Sequence, residues 1–254
     1  MNILLNFLMV LCLAAICQAS PRSENEKSAE TKTRKVDRGL DEYMYQTIVT
    51  LIYNDTLGHD CKGTIIRPRL IMTAAYCLFG SQPTHVKIST KDKEQESLFE
   101  IRMQFPHPDY DLANSVNDIA VLVLNNPIPN ARLVSLPNKS WSFATGDDVG
   151  LVYGWGGIEN GTFFNELRIL ALPILSQTKC KKYFANDGHF LCVDTQHAYV
   201  CKGNAGGPLV WHSYQIGIIP IKAAESCKLK KPLAFTDVTA YEDWLAPHVR
   251  KYYG

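Results

Sequence analysis

The sequence predicts an all-β protein, a barrel or sandwich, with one amphipathic helix at its C-terminus. Three observations carry that prediction. Short β-branched and apolar runs recur with turn residues between them, helical periodicity is confined to the last stretch, and no period of sequence repeat or low-complexity tract interrupts the pattern. At 254 residues with 46% hydrophobic content, the chain is long enough for one two-lobed domain or two small ones with a sizeable core.

In chain order, residues 1–19 form an apolar stretch ending in small residues, with Ala19 at a cleavage position, and read as a secretory signal peptide. The run is short for a membrane span, so a secreted, extracellular protein without a membrane span is expected. Residues 20–35 open a charged stretch, nearly free of apolar side chains, that cannot bury enough surface to fold alone and is expected to be a linker or pro-segment. The β-rich runs follow at Ile48 to Tyr53, Leu70 to Ala74, Ile119 to Leu124, Val149 to Tyr153, Leu167 to Leu172, Pro208 to Trp211, Ile216 to Ile221 and Ala234 to Val238. The helix is expected where Thr239 and Glu242 have capping-box spacing and Tyr241, Trp244, Leu245, Val249 and Tyr252 recur at helical intervals, with Pro247 as a kink.

Eight cysteines occur, of which Cys12 and Cys17 would leave with the leader. The remaining Cys61, Cys77, Cys180, Cys192, Cys201 and Cys227 form an even set in a secreted chain and imply a disulfide framework; the count alone leaves fifteen pairings open. No CxxC or Cys/His ligand spacing appears, so neither a metal nor another cofactor is expected. A formal net charge of +1 provides no broad cationic field, which argues against nucleic acid as the partner. Asn54, Asn138 and Asn160 begin Asn-x-Ser/Thr sequons near turn-forming residues, and at least one is expected to be glycosylated.

Three segments carry chemistry: Thr73-Ala74-Ala75-Tyr76-Cys77, Asn117-Asp118-Ile119-Ala120, and Cys201-Lys202-Gly203-Asn204-Ala205-Gly206-Gly207-Pro208. In this order and at these separations they resemble the trypsin/chymotrypsin-like serine peptidases, whose blocks read TAAHC, DIAL and GDSGGP. The resemblance covers residues 36–254, including Gly154-Trp155-Gly156. It implies two six-stranded antiparallel β-barrels facing each other across a cleft, with a C-terminal α-helix. It also selects the pairings Cys61 with Cys77, Cys180 with Cys192, and Cys201 with Cys227.

The departures from the family pattern fall on the residues that would do the chemistry. Peptide hydrolysis on this fold needs an alcohol nucleophile, an imidazole that accepts its proton, and a carboxylate that orients the imidazole. Ala205 stands at the serine position and a methyl group cannot attack a carbonyl. Tyr76 stands at the histidine position, and a phenol is a poor proton acceptor at neutral pH. Asp118 remains, with an expected structural role as acceptor for the Tyr76 hydroxyl. Asn204 replaces the Asp that, in active relatives, pairs with a newly cut N-terminal ammonium. Backbone donors at Gly203 and Ala205 could still form an oxyanion-type nest. Aligned on the family, Tyr199, Lys222 and Leu233 fall on the specificity pocket and put large side chains where it would be open.

The expected function is therefore binding rather than catalysis: a secreted pseudoprotease, not an enzyme, acting as adaptor, decoy or regulator in an extracellular protease network, of immune or reproductive secretion. Its partner would be an active protease, an inhibitor or another secreted protein, with Lys222 and the loop Lys228 to Lys231 as a candidate edge for an acidic surface. The alternatives are a glycan-binding or antimicrobial effector on the same scaffold and a residual hydrolase.

Overall fold

The computed structural model describes residues 43–54, 61–89, 96–141, 148–154, 168–184, 189–195, 204–220 and 232–252. Six strands, β1 (Ile48–Tyr53), β2 (Lys62–Arg67), β3 (Leu70–Thr73), β4 (Pro83–Ser89), β5 (Glu96–Pro106) and β6 (Ala120–Leu124), close into an antiparallel barrel in the order β1-β2-β3-β6-β5-β4. Six more, β7 (Val149–Gly154), β8 (Arg168–Pro173), β9 (Phe190–Val193), β10 (Pro208–Trp211), β11 (Tyr214–Ile218) and β12 (Leu233–Asp237), form an antiparallel sheet ordered β8-β7-β10-β11-β12-β9. Its two end strands meet through the Ile174–Val193 bridge, with Leu175 N–H donating to Cys192 O at 2.8 Å and Asp194 N–H to Pro173 O at 2.9 Å. The sheet thus curls towards a second barrel, as the family resemblance implied.

The strands follow from side-chain alternation. β6 reads Ala-Val-Leu-Val-Leu with all five residues buried, the signature of a central strand covered on both faces. β5 is amphipathic over eleven residues, exposed and half-buried positions alternating along much of its length. Four strands escaped the sequence reading: β2, β4, β5 and β9. In β4 and β5 the outward positions carry His85, Lys87, Glu96, Glu100 and Arg102, so charge density masks the period-2 pattern; Lys87 Nζ and Glu96 Oε1 pair across the strands at 2.9 Å. β2 mixes Lys62, Gly63 and Thr64 into an otherwise apolar run, and β9 is only four residues long.

Helical structure is more distributed than a single C-terminal helix. A 3-10 turn spans Ala75–Leu78, α1 (Gln177–Lys181) is capped by Ser176, a second 3-10 turn spans Val238–Tyr241, and α2 (Glu242–Lys251) closes the chain with Pro247 inside it. The predicted capping box does not form. Asp237 is the cap instead: its Oδ1 accepts from Thr239 N–H at 3.0 Å and from Thr239 Oγ1 at 2.6 Å. Glu242 accepts from Lys139 N–H at 2.7 Å, tying α2 to a distant turn. Periodicity located the helix, but the 3-10 turn before it moved the cap two residues towards the N-terminus.

Candidate functional site

β3 ends at Thr73 and the chain tightens into the 3-10 turn that carries Tyr76 and Cys77. Two of the bonds that hold that turn come from the chain before it. Cys77 is disulfide-linked to Cys61, at the start of β2, with a Cα–Cα distance of 6.0 Å, and Tyr53 Oη from β1 donates to Cys77 O at 2.8 Å. Asp118 lies just before β6 and is fully buried. Asn117 beside it has φ 56°, a left-handed turn that an Asn tolerates.

Tyr76 and Asp118 do meet, through a different atom from the one expected. The Tyr76 backbone N–H, not its phenol, donates to Asp118 Oδ1 at 2.8 Å. Asp118 Oδ2 is buried without a hydrogen-bond partner among the described residues. Burial pushes the Asp118 carboxyl up to about 7, and the amides of Tyr76 and Ala75 pull it only part of the way back. Two further phenols surround it. Tyr110 and Tyr241 are both raised, first by desolvation and then by the carboxylates near them, Asp118 among these; Tyr241 Oη donates to Asn117 Oδ1 at 2.9 Å.

Ala205 comes to the same place from the second sheet. It is 1% exposed, it bridges Cys61 in parallel register, and its carbonyl accepts from Lys62 N–H at 2.8 Å. Cys77 Sγ lies 3.9 Å from that same carbonyl oxygen. The backbone after Ala205 turns at Gly206, φ 80°, where a Cβ would fall well inside contact distance of Lys62 O and Thr73 Oγ1. Only glycine fits there, which explains the Gly-Gly pair in the segment. The turn is held by Gly206 N–H to Ile219 O at 2.8 Å, Ile219 N–H to Gly207 O at 2.9 Å and Gly207 N–H to Asn204 O at 2.9 Å. Asn204 is itself buried, at 5% exposure.

Tyr76, Asp118 and Ala205 therefore converge from three separate segments of chain, as a catalytic arrangement of this kind requires. A family profile described as Trypsin aligns with residues 38–245. The chain belongs to the trypsin family. Chymotrypsin-2 of Vespa crabro is 31% identical over 196 residues, covering 74% of this chain and 88% of the relative. Tryptase of Mus musculus is 30% identical over 233 residues, 80% of this chain and 84% of the relative. Brachyurin of Leptuca pugilator is 30% identical over 195 residues, 73% and 85% respectively. These relatives carry the names of proteases, and this trypsin-family chain differs from the family motifs at Tyr76, Asn204 and Ala205.

Other expected site residues are dispersed or lie elsewhere. Cys180 and Cys192 form the second disulfide, pinning α1 to β9. Leu233 is 4% exposed and packs with Leu191, Val193, Leu209 and Phe235 in the core of the second sheet, so it is a core residue of this trypsin-family fold. Asn54 and Asn138 are exposed. Residues 1–19, residues 20–35, Cys201, Cys227, Tyr199, Lys222, Gly203, Asn160, Trp155 and the Lys228 to Lys231 loop lie outside the described residues. Among the described residues, no three His, Cys, Asp or Glu side chains are arranged to hold a metal, and no helix is long and apolar enough to cross a membrane.

Sequence reasoning missed Lys62. It sits in β2 at 9% exposure, its backbone N–H holds the Ala205 carbonyl, and its Nζ donates to Thr50 Oγ1 at 3.1 Å. The signal available was a lysine directly after Cys61 inside a run of otherwise uncharged residues.

Proposed function

We propose that this protein is a secreted, non-catalytic member of the trypsin family that acts by binding another extracellular protein. The observation that carries the reading is the buried methyl group of Ala205, held by Lys62 and the Cys61–Cys77 disulfide where the family motif has serine. No hydroxyl is available there to attack a carbonyl, and Tyr76 offers a phenol in place of the imidazole that would accept its proton. Asp118 binds the turn through the Tyr76 amide, and with a phenol at Tyr76 there is no imidazole for its other oxygen to orient. In a related system, loss of the serine or histidine alone costs about a million-fold in turnover. The adaptor, decoy or regulator role follows from a preserved scaffold without the preserved chemistry, and the partner class is a protease, an inhibitor or another secreted protein. Disulfides at Cys61–Cys77 and Cys180–Cys192 favour an oxidising compartment and support secretion.

The test is purified protein against peptide and ester substrates, with a serine-directed fluorophosphonate probe in parallel, and the variant Ala205→Ser beside wild type. Neither turnover above buffer nor labelling is expected from the wild type. Restoring the hydroxyl in Ala205→Ser is expected to leave turnover at background, because no base is restored with it. Hydrolysis by the wild type that follows its concentration would sink the reading. Crosslinking in native fluid then identifies the bound protein.

A further inference from the structure

The sequon Asn138-Lys139-Ser140 forms an exposed turn bound at both ends to the rest of the protein. Asn138 Oδ1 accepts from Ser140 N–H at 2.8 Å and Asn138 O accepts from Trp141 N–H at 3.0 Å. The side-chain oxygen thus builds the turn, and the carboxamide nitrogen is not the atom that holds it. Lys139 anchors the turn on α2, donating from its N–H to Glu242 at 2.7 Å and from Nζ to Asp243 at 3.1 Å.

One turn further on begins an aromatic shelf. Trp141 packs edge-on against Tyr214 at 4.6 Å and Trp211 at 5.7 Å between ring centroids, and all three rings are partly exposed. Trp211 and Tyr214 flank the hairpin between β10 and β11, which is fastened to the segment before the sequon by Ser135 N–H to Ser213 O at 3.3 Å and Gln215 N–H to Ser135 O at 2.9 Å. Sequon and shelf are therefore fixed relative to one another. The partly exposed edges of these rings add up to one local apolar surface beside the turn, and the apolar C–H face of a pyranose is a good match for it.

We propose that Asn138 carries an N-linked glycan whose first N-acetylglucosamine packs on the shelf of Trp141, Trp211 and Tyr214. This rests on the secretory reading above. The donor is a lipid pyrophosphate-linked oligosaccharide. Asn138 Nδ2 bonds to C1 of its first sugar, the C1–O bond to pyrophosphate breaks with the lipid pyrophosphate as leaving group, and Nδ2 releases one proton to the transferase; nothing is oxidised or reduced. Hydrogen bonding of the turn through Oδ1 is retained after the transfer.

The full chain is expressed in insect cells with its own leader and, in parallel, behind a second secretion leader, and glycopeptides of the secreted protein are mapped. Modified Asn138 is expected, and its loss in Ser140→Ala. Acrylamide quenching of tryptophan is then compared in three forms: untreated, trimmed to one N-acetylglucosamine by an endoglycosidase, and fully released by a peptide N-glycosidase. Quenching is expected to be equal in the first two and to rise, with a red-shifted emission, in the third and in Ser140→Ala. A secreted product with bare Asn138 overturns the site, and equal quenching in all forms overturns the packing. Failure of the native leader alone, with modified Asn138 behind the second leader, counts against the secretory reading and leaves the site supported.

Discussion

A carboxyl group that is fully buried and accepts a hydrogen bond at only one of its oxygens is more easily held neutral than charged. Asp118 is such a group, and its pKa is pushed up to about 7 by burial. An unfolded Asp titrates near 3.9, so the folded state holds the extra proton between those values. The stabilisation is complete below about pH 4 and is lost as pH rises to about 7. Asp118→Asn, which mimics the neutral acid, should gain in melting temperature relative to wild type across that window and level off above it; a difference that stays constant with pH would refute the assignment. The comparison must be between the two proteins because His107 and His248, lowered by burial, act with the opposite sign and lose stability as pH falls. Gly206 supplies a second prediction. At φ 80°, packed against Lys62 O and Thr73 Oγ1, it cannot accept a side chain, and Gly206→Ala should cost about 2 kcal/mol or more in urea denaturation. An unchanged midpoint would mean the turn relaxes freely. At this scale the sequence was most legible, because Tyr76 and Ala205 announce their chemistry by atom type. Lys62 was barely legible, since a lysine directly after a cysteine in an otherwise uncharged run is only a faint mark of burial.

Several elements are held at their ends by bonds that cross to another element. The Cys61–Cys77 disulfide closes a separation of 16 residues, joins β2 to the turn carrying Tyr76, and should contribute about 3 kcal/mol. Replacing both cysteines with alanine is expected to lower the melting temperature by several degrees. No loss would show that the barrel alone holds the turn. Asp237 caps the 3-10 turn that leads into α2, and Asp237→Ala should cost about 1 kcal/mol, seen as a lower thermal midpoint and weaker protection of α2 amides in hydrogen exchange. Strands rich in apolar residues, such as β6, could be read directly. β4 and β5 could not, because a strand with one face open to water needs charges on that face, and charges in a single sequence read as loop.

Across the molecule, the two sheets share contacts rather than merely adjoining. Lys62 N–H holds Ala205 O, and Thr236 Oγ1 in β12 donates to Asp118 O beside β6 at 3.0 Å. Val210 and Ile218 of the second sheet belong to the same apolar cluster as Ile71 and Leu122 of the barrel. One cooperative unfolding transition is expected, with near- and far-ultraviolet circular dichroism coincident in denaturant. Two separated transitions would show that the sheets unfold independently and that the site between them is held by neither alone.

Residue identity by itself determined the family, the absence of a hydroxyl at Ala205 and of an imidazole at Tyr76, and the even cysteine set, because these are properties of atoms present in the chain. The tertiary structure alone decided that Asp118 serves the Tyr76 amide, that Lys62 is buried against Ala205, that Leu233 is core and that Asp237 caps the helical end. The first two are contacts between distant residues: Asp118 and Tyr76 are 42 positions apart, and Lys62 and the Ala205 carbonyl that it holds are farther apart still. Leu233 was settled by burial and Asp237 by where the turn before the helix began. Which atom of a residue meets which partner depends on register and burial, and neither is written in the order of the residues.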